Sequence, residues 1–377
     1  MSIAVRPEVA AFAGYQAGRK PADVVRAGEQ AARSLVKLSS NESPLPPLPV
    51  VQRAVQAAML EGNRYPDFYG LDLVAALADH LGVDESQVVV DNGSSALCLS
   101  VVSAVAGPGD RVVLPWRSFE VYNRAAAYRG AEAVRVPLGD GLRHDLAAMA
   151  AAVDERTKVV FVCNPNNPTG AGVDSAELAT FIEGVPDDVL VVLDEAYQDF
   201  VTQEARRPTG AQHVKERDNV VVLRTFSKAF GLAGLRVGYA VGAAPVIDAL
   251  RRLAVPFAVS GPAQAAALAA LGAEREVMAR VAEVTSERSR VADSLRQLGM
   301  EVPESDANFW WLPLGEASAA FSRSCEASGV LVRPFAPDGV RVTVGTAAEN
   351  QRFVEAARRW MEASRTGRAP AAAGVRR

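Results

Sequence analysis

Seven short runs of β-branched and other apolar residues, separated by helix-like stretches, occupy the first two thirds of this 377-residue sequence. The runs are residues 87–91, 111–115, 133–138, 158–163, 189–194, 219–224 and 237–241. Strands that are apolar along their whole length and are joined by helices are typical of a parallel sheet covered on both faces. The pattern therefore predicts a large α/β domain over residues 50–250.

The remainder predicts a smaller α+β domain over residues 251–361. An amphipathic stretch from Arg275 to Leu298 predicts a long helix that ends at Gly299. Apolar strands are expected within residues 309–314, 330–335 and 340–345. Residues 1–49 lead into a proline cluster and are expected to form an N-terminal arm, and residues 362–377 are expected to be a mobile tail.

The charge balance argues against a nucleic-acid or membrane partner. The sequence has 40 Lys and Arg against 44 Asp and Glu, a net charge of -4, so anionic surfaces are not attracted strongly. Its three histidines and three cysteines have no metal-ligand spacing, and the odd cysteine number favours a reducing compartment. No apolar segment of membrane-spanning length is present. We expect a cytoplasmic protein that acts on small molecules and holds no metal.

The residues that follow the predicted strands are the candidates for a site, because ligands of such sheets bind at the carboxyl ends of the strands. Gly93 is followed by Ser94 and Ser95 at a helix start, which suits a phosphate, although ordinary serine capping would look the same. Residues 164–170 (NPNNPTG) form an unusual turn. Asp194 ends an apolar strand and needs a cation or a strong donor there, unless it only caps a helix.

The five lysines narrow the search for a reactive amine. They are Lys20, Lys37, Lys158, Lys215 and Lys228. Only Lys228 directly follows a predicted buried strand, where partial desolvation would lower its pKa below the usual value of about 10.4. A lysine that forms a Schiff base requires such a pKa. Arg236, eight residues further on, offers a planar fork for phosphate.

Several motifs together resemble those of the fold-type I pyridoxal-phosphate aminotransferases, in particular the histidinol-phosphate aminotransferase subfamily. They are SSNES (39–43), NRYPD (63–67), NPNNPTG (164–170), DEAY (194–197), TFSKAFGLAGLRVGY (225–239) and RVTVG (341–345). The resemblance extends over residues 35–361. It implies the pyridoxal-phosphate-dependent transferase fold, an α/β fold whose large domain has a mostly parallel sheet between helices, with a smaller α+β domain. It also implies a homodimer with shared active sites.

By this resemblance, Lys228 forms the internal aldimine with pyridoxal 5′-phosphate and then shuttles a proton. Asp194 pairs with the pyridinium nitrogen, so that the ring accepts electrons. Asn167 and Tyr197 hydrogen-bond the phenolate oxygen of the cofactor. The implied phosphate ligands are Ser94, Ser95, Ser227 and Arg236.

The resemblance also implies contacts from other parts of the chain. Phe119 stacks on the cofactor ring, and Tyr65 reaches the phosphate bound by the neighbouring subunit. Arg341 receives the substrate carboxylate and Arg333 a second anionic group, although Arg333 would also be compatible with a surface salt bridge. Asn41 lies in the segment that closes over the site.

The substrate is predicted from the loop at residues 116–122, which is similar to that of aromatic amino-acid (phenylalanine) aminotransferases. We expect transfer of an amino group from phenylalanine or tyrosine to 2-oxoglutarate in ping-pong half-reactions. The alternatives are the histidinol-phosphate aminotransferase of histidine biosynthesis, a decarboxylase of a phosphorylated amino acid and, without this cofactor, a nucleotide-binding dehydrogenase. An apolar substrate slot is possible, although aromatic residues more often lie in cores. Its candidates are Tyr15, Trp116, Phe119, Tyr122, Phe257 and Trp310.

Overall fold

The computed structural model describes residues 35–207 and 209–365, so the predictions for residues 1–34 and 366–377 lie outside it. Its strands are β1 (Val36–Lys37), β2 (Val88–Asp91), β3 (Arg111–Trp116), β4 (Glu132–Pro137), β5 (Thr157–Cys163), β6 (Leu190–Asp194), β7 (Val220–Thr225), β8 (Gly238–Gly242), β9 (Phe309–Leu312), β10 (Val330–Leu331), β11 (Arg333–Phe335) and β12 (Gly339–Thr343). Its helices are α1 (Pro49–Met59), α2 (Leu71–Leu81), α3 (Ser94–Val105), α4 (Glu120–Arg129), α5 (Leu146–Ala151), α6 (Ser175–Gly184), α7 (Gly210–Glu216), α8 (Ala244–Leu253), α9 (Gly261–Leu271), α10 (Glu274–Gln297), α11 (Ser318–Ala327) and α12 (Ala347–Arg365). None of these helices is long and apolar enough to span a membrane.

The seven predicted runs form one sheet, in the order β2-β8-β7-β6-β5-β3-β4. Neighbouring strands from β4 to β7 are parallel, whereas β8 is antiparallel to both β7 and β2. The sheet is therefore mostly parallel, as expected. The prediction that residues 237–241 form one of its parallel strands was wrong. No helix lies between β7 and β8, so the chain turns back and β8 pairs with β7 in the opposite direction.

Alternate residues of the central strands enter two separate cores. In β5, Val159 and Phe161 pack with α3, α4 and α8, whereas Val160 and Val162 pack with α1, α2, α6 and α9. Successive side chains of a strand point to opposite faces, so a strand that is apolar throughout requires helices on both sides. The layered α/β architecture follows from this pattern.

The core of the large domain extends beyond the predicted boundary at residue 250. Four fully buried alanines of α9 belong to the same core as α1 and α2; they are Ala263, Ala266, Ala267 and Ala270. Small side chains let α9 lie close to its neighbours. The small-domain core begins instead with α10, which matches the predicted helix from Arg275 to Leu298 within one residue at each end. Gly299 lies just beyond the helix, as predicted, and has a left-handed backbone at φ 88°.

The small domain contains a three-stranded antiparallel sheet in the order β11-β12-β9. Strand β1 pairs in parallel with β10, so residues 36–37 of the predicted N-terminal arm are structurally part of the small domain. Helix α12 continues to Arg365, and residues 362–365 of the predicted tail are therefore helical.

Candidate active site

A cavity of about 290 Å³ lies at the carboxyl ends of the parallel strands, where the small domain meets the sheet. Cys163, Asp194 and Thr225, at or near the ends of β5, β6 and β7, form part of its wall. Every predicted site residue except Tyr65 lines the cavity; they are Asn41, Ser94, Ser95, Phe119, Asn167, Asp194, Tyr197, Ser227, Lys228, Arg236, Arg333 and Arg341. Within the described ranges, no group of three or more His, Cys, Asp or Glu side chains could hold a metal ion.

Lys228 is the amine of the cavity. Its Nζ donates a hydrogen bond to the Asn41 carbonyl oxygen at 3.2 Å and lies 5.6 Å from the centre of the Tyr197 ring. Burial lowers the pKa of Lys228 to about 7, and the positive charges of Arg341 and Arg236 act in the same direction. A large fraction of this amine is therefore uncharged near neutral pH, which is the form that attacks a carbonyl.

Asp194 is buried at the end of β6 and is held by two donors. The Tyr122 hydroxyl donates to Oδ2 at 2.6 Å, and the Ala196 amide donates to Oδ1 at 3.2 Å. Burial raises the pKa of Asp194, whereas the Tyr122 hydrogen bond opposes that rise. Tyr122 stacks on Phe161 in the core, with ring centres 4.3 Å apart. Tyr122 therefore contacts Asp194 from the side of the core and does not line the cavity. Its predicted place in an apolar substrate slot was wrong.

The start of α3 forms a cradle together with Arg236. Gly93 precedes the helix at φ 77°, and a Cβ atom there would collide with the Arg236 guanidinium. Arg236 Nη1 donates to the Ser227 hydroxyl oxygen at 3.3 Å. Ser94 and Ser95 add two hydroxyls and the first amide groups of the helix. A guanidinium, three hydroxyls and a helix N-terminus fit the phosphate of the predicted cofactor.

Residues 39–42 form one wall of the cavity, which we call the roof, and Asn41 in this segment contacts both domains. It is buried with a left-handed backbone at φ 52°, and its Nδ2 donates to the Tyr197 hydroxyl at 2.9 Å. The backbone amide of Asn41 donates to Thr343 Oγ1 of β12 at 2.8 Å. Burial raises the pKa of Tyr197, while Arg341 and the Asn41 hydrogen bond oppose the rise. The neighbouring residues Ser39, Ser40 and Glu42 also line the cavity; the SSNES motif marked this segment, but only Asn41 was predicted from it.

Two arginines lie opposite each other on the small-domain side. Arg341 of β12 pairs in register with Arg333 of β11. Arg341 donates to Asn167 Oδ1 at 2.5 Å and to the Ser39 carbonyl oxygen at 3.1 Å. Arg333 is only 13% exposed and lies 3.9 Å from Glu120. The salt bridge considered for Arg333 therefore exists, but it lies at the cavity wall rather than on the outer surface.

The aromatic slot suggested by the sequence does not form as expected. Trp310 is fully buried in the small-domain core, where its indole donates to the Arg288 carbonyl oxygen at 2.9 Å. Trp116 lies outside the cavity, with the Arg135 guanidinium 4.5 Å from its ring centre. Of the six candidates only Phe119 lines the cavity, and Tyr15 is outside the described residues.

Tyr65 and Phe257 belong to a different surface. Tyr65 is 81% exposed, and its ring stacks on Phe257 at 4.4 Å between centres. Phe68 and Tyr69 are also exposed and complete an aromatic patch. Tyr65 does not reach the cavity of its own chain.

Comparison with known proteins places this arrangement in a family. Residues 33–356 match the model described as aminotransferase class I and II. The aromatic amino acid aminotransferase of Streptomyces coelicolor is 54% identical over 319 residues, which cover 85% of this chain and 89% of that protein. The protein of the same name from Mycobacteroides abscessus is 46% identical over 360 residues, 96% of this chain and all of the relative.

A solved structure also supports an assignment to the aminotransferases. The histidinol-phosphate aminotransferase from Sinorhizobium meliloti, in complex with pyridoxal-5′-phosphate, superposes with a TM-score of 0.86 at 27% identity and covers 96% of this chain and 98% of its own. The predicted fold class, aminotransferase activity and pyridoxal 5′-phosphate cofactor are thereby confirmed. The chain belongs to the aminotransferase class I and II family.

Proposed function

We propose that the protein transfers the amino group of an aromatic amino acid, phenylalanine or tyrosine, to 2-oxoglutarate. The observation that carries this proposal is the run of relatives named aromatic amino acid aminotransferase, from 54% identity in Streptomyces coelicolor to 45% in Mycolicibacterium paratuberculosis. The acceptor rests on the family resemblance alone. The free, buried state of its three cysteines supports a cytoplasmic location.

Pyridoxal 5′-phosphate, when bound, supplies a ring that accepts electrons from the substrate. The residues of the chain bind and orient it. Arg236, Ser227 and the start of α3 would hold the phosphate, and Asp194, kept in place by Tyr122, would meet the ring nitrogen. Phe119, which lines the cavity, would stack on the ring.

Lys228 and Arg341 act on the substrate. The Lys228 amine would remove the proton from the α-carbon of the amino acid in the first half-reaction and would deliver a proton to the α-carbon of the 2-oxo acid in the second, which its lowered pKa permits near neutral pH. Arg341 binds the substrate carboxylate with its guanidinium fork, because the fork already faces the cavity beside Asn167. Asn41, whose side-chain amide donates to the Tyr197 hydroxyl, would help to close the site, and Tyr197 and Asn167 would hydrogen-bond the phenolate oxygen of the cofactor.

Histidinol phosphate is the second candidate substrate, favoured by the similarity to the Sinorhizobium meliloti enzyme. It would bring a phosphate toward Arg333. Glu120 already supplies a carboxylate beside that guanidinium, and this reduces its attraction for a dianion. We therefore place aromatic amino acids first. Decarboxylation of a phosphorylated amino acid comes third, because it needs the same phosphate contact.

We also propose a homodimer in which two chains complete each active site. The aromatic patch, in which Tyr65, Phe68 and Tyr69 are exposed and Phe257 is half-buried, is typical of an interface between chains. A second copy seated on this patch would cover it and carry Tyr65 toward the phosphate cradle of the partner.

A lysine substitution tests the role of Lys228. Lys228→Ala should abolish both transamination and the covalent attachment of the cofactor to the protein, because the attacking amine is lost. Lys158→Ala, which removes a lysine of β5 that is not part of the cavity wall, should leave both unchanged. The mass of the denatured protein after borohydride treatment provides the measurement, because reduction turns a Schiff base into a stable C–N bond. Cofactor that remains attached to Lys228→Ala after this treatment would assign the chemistry to another amine.

The pH dependence of cofactor capture reports the pKa of Lys228. The rate at which cofactor-free protein captures pyridoxal phosphate should rise as pH increases through about 7, as the amine loses its proton. Arg341→Gln should move the midpoint to higher pH, because Arg341 lowers the pKa of Lys228. Glu42→Gln should move it to lower pH, because Glu42 raises that pKa. Stopped-flow absorbance gives these rates, and shifts of the same sign in both variants would contradict the assignment.

The substrate proposal is tested by kcat/KM for phenylalanine, tyrosine and histidinol phosphate, each with 2-oxoglutarate. We expect either aromatic amino acid to exceed histidinol phosphate by at least about tenfold, a difference of about 1.4 kcal/mol in transition-state binding. Keto-acid formation and carbon dioxide release are measured in the same assays. A preference for histidinol phosphate, or release of carbon dioxide, would replace the proposed reaction with one of the alternatives.

Shared active sites can be tested by mixing variants. Tyr65→Ala and Lys228→Ala should each be impaired alone, but a mixed dimer would contain one site with both native residues. Random mixing should restore about a quarter of wild-type activity, since half of the dimers of a symmetric pair are mixed and each has one intact site. Asp194→Asn mixed with Lys228→Ala is the matched control and should not recover, because both residues line the cavity of the same chain. Equal behaviour of the two mixtures would exclude a contribution of Tyr65 across the dimer.

A further inference from the structure

Arg333 has an ion pair that crosses between the two domains. Its Nη2 lies 3.9 Å from Oε2 of Glu120, the first residue of α4 in the large domain. This is its one ion pair within residues 35–207 and 209–365. The separation exceeds a hydrogen-bond length, so the guanidinium keeps N–H groups that can meet a second acceptor.

In the proposed reaction, two substrates with different side chains bind in turn in the same cavity. An aromatic amino acid brings an uncharged ring, whereas 2-oxoglutarate and glutamate bring a second carboxylate. A carboxylate in a partly buried site requires a cation, and an unpaired cation beside an apolar ring is costly because neither is solvated. The cavity must therefore present a positive charge to the dicarboxylic substrate and neutralise that charge when the aromatic substrate binds.

The geometry makes Arg333 the residue that meets this second group. Arg341, directly opposite in register on β12, is the predicted ligand of the carboxylate that both substrates share. Arg333 lines the same cavity. Glu120 is not part of the cavity wall, but it directly follows Phe119, which is, and it lies 3.9 Å from Arg333. The carboxylate of Glu120 is therefore placed behind Arg333, where it can act on the cavity through that guanidinium.

We propose that Glu120 determines substrate specificity as the exchangeable counter-ion of Arg333. This inference rests on the proposed function. With an aromatic side chain in the cavity, Arg333 remains paired with Glu120 and presents no net charge to the ring. With a dicarboxylic substrate, Arg333 binds the second carboxylate and Glu120 returns to solvent.

The environment of Glu120 suits this exchange. Glu120 lies in the first turn of α4, where the helix dipole stabilises a carboxylate whether or not Arg333 is near. Its side chain is 32% exposed, so water can hydrate it once Arg333 has moved away. Such a pair is weak enough to be broken by a substrate and strong enough to affect its affinity.

Glu120→Gln tests the proposal, because it removes the charge and keeps the shape. In the cofactor-loaded enzyme, kcat/KM for phenylalanine should fall and kcat/KM for glutamate should rise, each by up to about fivefold, the range expected for an ion pair of this exposure. The change should lie mainly in KM, since neither side chain contacts the reacting atoms. The ratio of the two kcat/KM values is the quantity to compare.

Asp338→Asn provides the matched control. Arg117 and Asp338 form another ion pair between the same two domains, with Asp338 in the turn between β11 and β12. Arg117 does not line the cavity, whereas Arg333 does, so this pair has no cation facing the substrate. This variant should leave the ratio for phenylalanine and glutamate unchanged, because it weakens a contact between the domains without uncovering Arg333.

Two unreactive acids separate binding from turnover. The Kd of glutarate should decrease in Glu120→Gln and the Kd of 3-phenylpropionate should increase, as measured by calorimetry. Changes of the same sign for both acids, or an equal effect in Asp338→Asn, would overturn the specificity role. Failure of the wild-type enzyme to use any aromatic amino acid would instead refute the proposed function, and the glutarate measurement would still report on the Arg333–Glu120 pair.

Discussion

A carboxylate at the end of an apolar strand is the interaction on which the site depends. Asp194 ends β6, whose five residues are all buried, and little water reaches it. It is retained there because the Tyr122 hydroxyl and the Ala196 amide donate to it. The two donors fix the direction of the carboxylate, so in the proposed function a ring nitrogen that meets it would be oriented before the substrate arrives. The packing of Tyr122 on Phe161 thus links the core of the sheet to the chemistry.

Much of the site could be predicted from the sequence because of one property of parallel sheets. The strands end at the same edge, so Ser94, Asp194 and Lys228, which follow three separate strands, had to lie close to one another. Chain order and apolar runs are sufficient for that inference. The assignment of each residue to a task required the family resemblance, since a lysine and a carboxylate at one edge suit several reactions.

Other features could not be predicted, for physical reasons that differ from one to the next. Tyr122 contacts Asp194 because of the rotation of α4 about its own axis, which sequence spacing does not define. The direction of β8 depends on a connection without a helix, although its composition resembles that of a parallel strand. Helix α9 is almost entirely small and apolar, so its pattern does not indicate which core it joins. Glu120 could be identified only from its contact with Arg333, which lies more than 200 positions away in the sequence.

The pairing of β1 with β10 has a mechanical consequence. Residues 39–42, which form the roof of the cavity, continue directly from a strand of the small domain, and Asn41 is hydrogen-bonded to Thr343 of the same domain. Arg333 and Arg341 are carried by that domain as well. The roof and the two arginines are thus joined through the same strands of the small domain. Any displacement of this domain relative to the sheet would therefore move the roof and both guanidinium groups together.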